Sequence, residues 1–339
     1  MKKVSFIAVL IVLISLSAIS QEQDNKSLQE TAKTFIRQGD YNNAIVVLNR
    51  ALTQDADNLE LKKDLAFAYY LQRDFTKALE VSKPLVNRSD ADVQSYQILG
   101  MVYKAIEERK EAEKMYRDAL KKFPKSGVLY NEYGEMLWSR NDFSDAAKQW
   151  EKGIEVDPNH SGNYYNASKY HYFTADKVWG LLYGEIFVNL ESYSKRTPEI
   201  KTILLEGYKK LFTDADLLKN QNTKNEFTRV FLMNMKNQEK LVSTGVTPES
   251  LSALRSRFVL DWFAKDASRF PFRLFEYHQQ LLKAGMFEAY NQWIFGAAKD
   301  LTVYQNWTTA HAEEYNQFDK FQKNRVFKLP AGQYYQGLK

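Results

Sequence analysis

A 34-residue period constrains this chain more than any other feature of its sequence. Alanine stands at 44, 78, 112 and 146. Twelve residues before each comes a small residue (Ala32, Ala66, Gly100, Gly134), and nine before each a large one (Phe35, Tyr69, Tyr103, Leu137). Such a period marks stacked supersecondary units, none of which can bury its apolar face alone.

The third copy shows what each unit is. Tyr96, Leu99, Gly100 and Tyr103 share one face of a first helix, and Ala112, Met115, Tyr116 and Ala119 share one face of a second. The small residues let the two stripes approach closely. Pro124 and Pro158, which lack a backbone donor, stop the second helix and turn the chain into the next copy.

Residues 25–160 therefore resemble four tetratricopeptide repeats, most clearly in "YQILGMVY…EAEKMYRDALKKFP" and "YNEYGEMLW…DAAKQWEKGIEVDP". The second copy departs from the pattern at Lys62, at Ser82 and at Pro84, which is expected to kink or shorten its second helix. The resemblance implies an all-α fold, a right-handed α-α superhelix followed by a helical C-terminal domain. It also implies a concave groove, lined by the first helix of each pair, that takes a protein or peptide partner. Matched residue by residue, the groove positions are Lys63, Phe67 and Tyr70, then Gln97, Met101 and Lys104, then Asn131, Glu135 and Trp138. Phe67, Tyr70, Met101 and Trp138 would form an apolar stripe, with Lys63, Lys104 and Glu135 at its rim. The groove is either open or filled by the C-terminal helices. The carboxylate clamp of chaperone-binding members is not expected, because its positions hold Gln29, Lys33, Asp64, Gln94 and Ile98, of which only Lys33 is basic.

The first twenty residues read as a secretory signal peptide. Lys2 and Lys3 precede an apolar run, Val4–Ile19, that is too short to span a bilayer, and Ala18-Ile19-Ser20 makes a small-x-small cleavage site before Gln21. A cleaved, soluble, periplasmic or secreted chain follows. It contains no cysteine, so neither a disulfide framework nor a lipid-bearing thiol is available. Removing Lys2 and Lys3 takes the net charge from +5 to +3, with both signs mixed along the chain and only isolated basic pairs at Lys121-Lys122 and Lys209-Lys210. Nucleic acid is an unfavoured partner.

Residues 161–194 keep the helix-turn-helix rhythm as a degenerate fifth repeat, whose aromatics from Tyr164 to Tyr183 suggest either a core or a glycan-stacking platform. Residues 195–339 read as a helical domain. Within it Thr247 caps a helix that begins at Pro248. Gly285 separates a stripe of Leu274, Tyr277 and Leu281 from one of Phe287, Ile294 and Ala297. The tail bears Pro330, Gly332 and Gly337 and is either loose or strapped down.

His160, His171, His278 and His311 are scattered, with no metal-ligand spacing, and no phosphate loop or nucleophile elbow occurs. No metal, no cofactor and no catalytic residues are expected. The functional expectation is an exported interaction scaffold of the cell envelope. A glycan-binding module built on 164–183 is the alternative, and a hydrolase site assembled from distant carboxylates in 195–339 the least favoured.

Overall fold

The computed structural model describes residues 25–213 and 216–337. The signal-peptide expectation lies outside them. Every regular element among the described residues is helical, and the chain divides into two compact units, one ending at Pro124 and the other starting at Lys125.

In the first unit α1 (25–38) is followed by α2 (Tyr41–Gln54), α3 (Leu59–Leu71), α4 (Phe75–Leu85), α5 (Val93–Ala105) and α6 (Arg109–Lys122). The starts are set by side-chain caps: Asp40, Asn58, Asp74 and Asp92 each accept a hydrogen bond from the backbone N–H three residues on. The turn between paired helices has its own signature. Gly39, Arg73, Glu107 and, in the second unit, Asn141 stand 34 residues apart, and all have left-handed backbones (φ +79, 67, 58 and 66°). Each is followed by a residue whose N–H reaches back five positions, as Asp40 does to Phe35 and Glu108 to Tyr103, which satisfies the orphan carbonyls of the helix just ended. Pro84 lies in the last turn of α4, which spans 11 residues where α2 and α6 span 14. The expected shortening is present.

In the second unit α7 (Gly127–Ser139), α8 (Phe143–Val156), α9 (Ser161–Phe173) and α10 (Lys177–Leu190) carry the 34-residue offset through a fifth pair. Close approach holds each pair together. A Cβ on Gly134 would lie 2.3 Å from Trp150 Nε1, and that indole is fixed by its bond to Asn131 O at 3.2 Å. The counterpart in the fifth pair is Ser168, whose hydroxyl donates to Gly180 O at 2.8 Å.

Beyond the repeats come α11 (Thr197–Leu211), α12 (Glu226–Lys236), α13 (Pro248–Lys265), α14 (Arg273–Lys283), α15 (Phe287–Asn291), a π-helical turn (Gln292–Gly296), α16 (Ala297–Lys299), α17 (Leu301–Ala310) and α18 (Ala312–Asn324). Helix α11 packs on α10, and α13 packs on α12, α14 and α15. The core here is aromatic: Phe258 and Trp262 each meet Phe275 with ring centroids 4.9 Å apart. Thr247 caps α13 through a capping box with Ser250, and Gly285 (φ +70°) closes α14. Leu274, Tyr277, Leu281, Phe287 and Ile294 are buried as their spacing requires, but Ala297 is exposed. The π turn inserts a residue into the helical count and rotates Ala297 off the apolar face.

Two substitutions should move stability in opposite directions. Gly134→Ala gains helix propensity of about 0.5–1 kcal/mol but forces the fixed indole aside, so a net loss of about 1–2 kcal/mol is expected. Glu107→Gly relieves a left-handed, exposed non-glycine and should raise stability by up to about 1 kcal/mol. Urea midpoints of the two variants check both, and a Gly134→Ala chain as stable as wild type would refute the close-approach account.

Candidate functional site

The groove positions divide into those with an accessible surface and those used for packing. Lys63, placed by sequence at the rim, is only 2 % exposed. Its ammonium bridges Glu60 and Asp92 at 2.6 Å each, which fixes the N-terminal end of α5 because Asp92 is also that helix's cap. The rim assignment for Lys63 is therefore corrected. Burial works against its charge, yet the two carboxylates outweigh it and raise its pKa. Asn131 is buried as well: its amide donates to Glu135 Oε1 at 3.1 Å and its side-chain oxygen accepts from Asn166 at 2.9 Å. Trp138 packs on Phe143 and Trp150, with centroids at 4.6 and 5.6 Å. The side chains meeting Asn131, Glu135 and Trp138 thus come from the fourth and fifth repeats themselves, and Asn131 and Trp138 serve packing.

What remains is a face of α3 and α5, which lie against each other in the first unit. Phe67 and Tyr70 stack at 6.4 Å with an interplanar angle of 13°. They and Met101 are half-buried, Lys104 is exposed, and Gln97 is half-buried. Such a surface offers flat aromatic area with a cation at one edge. A cleft of about 170 Å³ lies elsewhere in this unit, between the end of α4 and helices α5 and α6. Val86, Tyr96, Leu99 and Met115 line it, with Lys83 and Lys114 among its polar residues.

Three of the seven aromatics of the fifth repeat are core, whereas Tyr165, Tyr170 and Tyr172 are half-buried and Phe173 is exposed. Tyr164, Trp179 and Tyr183 are 1–2 % exposed, and Trp179 and Tyr183 face each other at 5.4 Å. Tyr164, Trp179 and Tyr183 are therefore corrected as glycan-stacking rings, since rings sealed against one another present no face to a sugar.

One polar cluster had no counterpart in the sequence expectations. Glu185 on α10, Arg255 on α13, His278 on α14 and Tyr290 on α15 converge inside the second unit, all 5 % exposed or less. Arg255 forms an ion pair with Glu185 and donates to Asn291. His278 Nε2 lies 2.8 Å from Glu185 Oε1, and Tyr290 donates to the same oxygen at 2.9 Å. Burial pushes the Glu185 carboxyl up, but Arg255 and His278 outweigh it and hold it down to about 2. Burial lowers the His278 pKa, with Glu185 offsetting part of the effect. The cluster holds one carboxylate, sealed and already paired, and it ties α10 to α13, α14 and α15. The sequence did carry a signal: Glu185 is a lone charge within the apolar run "LLYGEIFV". Among the described residues no group of three or more His, Cys, Asp or Glu is placed to hold a metal ion.

Two tetratricopeptide-repeat family models match the chain, at residues 35–99 and 99–162. Residues 35–162 are therefore tetratricopeptide repeats, and this matched span contains the α3/α5 face. Similar solved structures include a thermophilic tetratricopeptide-repeat protein in Thermus thermophilus, 16 % identical, covering 53 % of this chain and 99 % of that one with a TM-score of 0.45. Another is YrrB, described as having an unusual peptide-binding site (15 % identical, 55 % of this chain, 96 % of that one, TM-score 0.38). A third is MamA from Desulfovibrio magneticus RS-1 (14 % identical, 50 % and 93 %, TM-score 0.38). No curated protein matches the chain.

Acid should test the buried cluster. A carboxyl depressed from 4.5 to about 2 contributes stability that is complete above the upper value and lost as the pH falls toward the lower. His278, kept neutral, adds to the loss at acid pH because the unfolded chain takes up that proton first. Glu185→Gln leaves Arg255 uncompensated and should cost about 3–5 kcal/mol at pH 7. It should also flatten the acid limb between pH 4.5 and 2. Parallel acid profiles for wild type and variant in near-ultraviolet circular dichroism would exclude this role.

Proposed function

We propose that this protein is an exported interaction scaffold of the cell envelope, without catalytic activity, that holds a partner peptide on the α3/α5 face. The repeats make it a protein-interaction fold. The observation that carries the reading is the stacked, half-exposed pair Phe67 and Tyr70 beside Met101 and Lys104. Rigid aromatic area next to one cation suits an amphipathic helix or extended segment with an acidic residue at the matching edge. Export rests on the N-terminal sequence pattern, Lys2-Lys3 followed by the apolar run to Ile19. In keeping with a chain that does not span the bilayer once cleaved, no helix among the described residues is long and apolar enough to cross a membrane.

Tagged protein expressed with its leader should fractionate with the periplasm or medium, shortened by about twenty residues in its intact mass. Phe67→Ala/Met101→Ala should weaken retention of the captured envelope partner about thirtyfold or more, as loss of interface anchors does, with the circular dichroism spectrum unchanged. Full-length protein in the cytoplasm would refute export, and undiminished capture by the variant would refute the face.

A further inference from the structure

The chain beyond α18 runs extended along the second unit. Phe327 and Leu329 are buried, while Val326, Lys328 and Pro330 are exposed, the alternation of a strand laid on a surface. The seat grips side chain and main chain alike: Tyr335 Oη donates to Pro271 O at 2.7 Å, and Gln333 Oε1 accepts from Arg273 N at 2.7 Å. The Asn159 amide brackets one residue, donating to Leu329 O at 3.0 Å while accepting from Leu329 N at 2.9 Å. Asn225 donates to Tyr335 O at 2.8 Å and to Gln336 O at 3.3 Å. Tyr335 stacks on Phe227 with centroids 4.8 Å apart.

The fit is incomplete at the C-terminal end. Gln336 donates to Glu151 Oε1 at 2.6 Å, the same oxygen that holds His171 Nε2 at 2.9 Å. Beside this contact His171 Nδ1, Asp176 Oδ1, Trp179 Nε1 and Tyr183 Oη are buried with no protein partner. The Tyr183 ring lies 6.0 Å from His171 and 5.4 Å from Trp179. A buried polar atom left unpaired is costly, and a ligand that pairs it gains correspondingly.

We propose that this seat is a second peptide-binding site, taking an extended partner segment of apolar-x-apolar pattern followed by a polar side chain that reaches the His171/Tyr183 cluster, and that the protein's own residues 326–337 are its resident competitor. Amide brackets on the main chain tolerate any sequence, so specificity lies in the two apolar anchors, in the Phe227 ring under Tyr335 and in the unpaired polar atoms. The strap has the advantage of its tether, which gives it an effective concentration of the order of millimolar. A free copy of the same sequence cannot displace it, whereas a partner that satisfies the cluster can. This site is independent of the α3/α5 face.

The test uses the full chain and a labelled synthetic peptide of residues 325–337. Wild type should show no saturable binding below about millimolar peptide. Phe327→Ser/Leu329→Ser, which releases the strap, should bind the peptide at least tenfold more tightly, and adding Asn159→Ala should remove at least tenfold of that affinity. Hydrogen exchange of wild type should show the amides of 326–337 opening well before those of α9 and α10. Exchange as slow as in those helices would make the strap a permanent brace and overturn the proposal, even if the variants fail to fold. So would a released, folded variant that ignores the peptide, binding indifferent to Asn159→Ala, or a released variant that fills the seat by dimerising.

Discussion

The third and fourth helix pairs depend on a single contact: a small residue of the first helix lying under a ring of the second. Gly134 beneath Trp150 and Gly100 beneath Tyr116 are the clearest cases, because a Cβ on either would come within 2.3 Å of the side chain above. Close approach at this one position sets the separation of the two axes. The left-handed turn that joins them then follows, since a helix ending so near its partner must reverse within three or four residues. Glycine satisfies that turn readily at Gly39 and asparagine tolerably at Asn141, whereas Arg73 and Glu107 are held in it by the packing on either side. The repeats therefore carry local strain that the contact between helices overrides.

The repeats were legible in the sequence because their physics is local. Ala44, Ala78, Ala112 and Ala146 report a packing rule that acts within one hairpin, and the caps and Pro84 act within one helix. The fifth pair blurred in sequence yet stays regular in structure. Ser168 takes the small-residue position and bonds Gly180, but Ala175 stands where the other turns have a left-handed residue and does not adopt that backbone. The groove positions were less legible. Which side chain lines a helix follows from register, but whether Lys63 is free or buried depends on Asp92, 29 residues away. The cluster of Glu185, Arg255 and His278 joins residues 70 and 93 positions apart, and no periodicity encodes such a meeting. The chain said only that a lone charge sits in an apolar run, which demands a partner without naming it.

That cluster also explains how the C-terminal helices attach to the fifth pair. A buried ion pair is weak evidence for stability, because desolvation of both charges offsets their attraction. Its cost when incomplete is large, however, and this selects one arrangement of α10, α13, α14 and α15 over others of similar apolar area. Asn189 on α10 reinforces the choice by donating to Tyr290 at 2.6 Å. Packing against α10 is thus directed by polar groups, while the surrounding rings supply the burial.

Helix α10 shows why such a region is needed. Twelve of its fourteen residues, Val178 to Asn189 without a break, are buried. The second helix of an internal repeat keeps a polar outer stripe, as α6 does with four buried residues in fourteen. A helix apolar all round cannot face water and must be enclosed. On one side α9 covers α10, and on another α11, while Glu185 and Asn189 point to α13, α14 and α15. The 34-residue rhythm therefore ends at α10 for a physical reason: its surface is already occupied, and nothing apolar is left on it for a further repeat. The C-terminal helices act first as a cap on the repeat array, which leaves recognition to the faces that packing has not consumed.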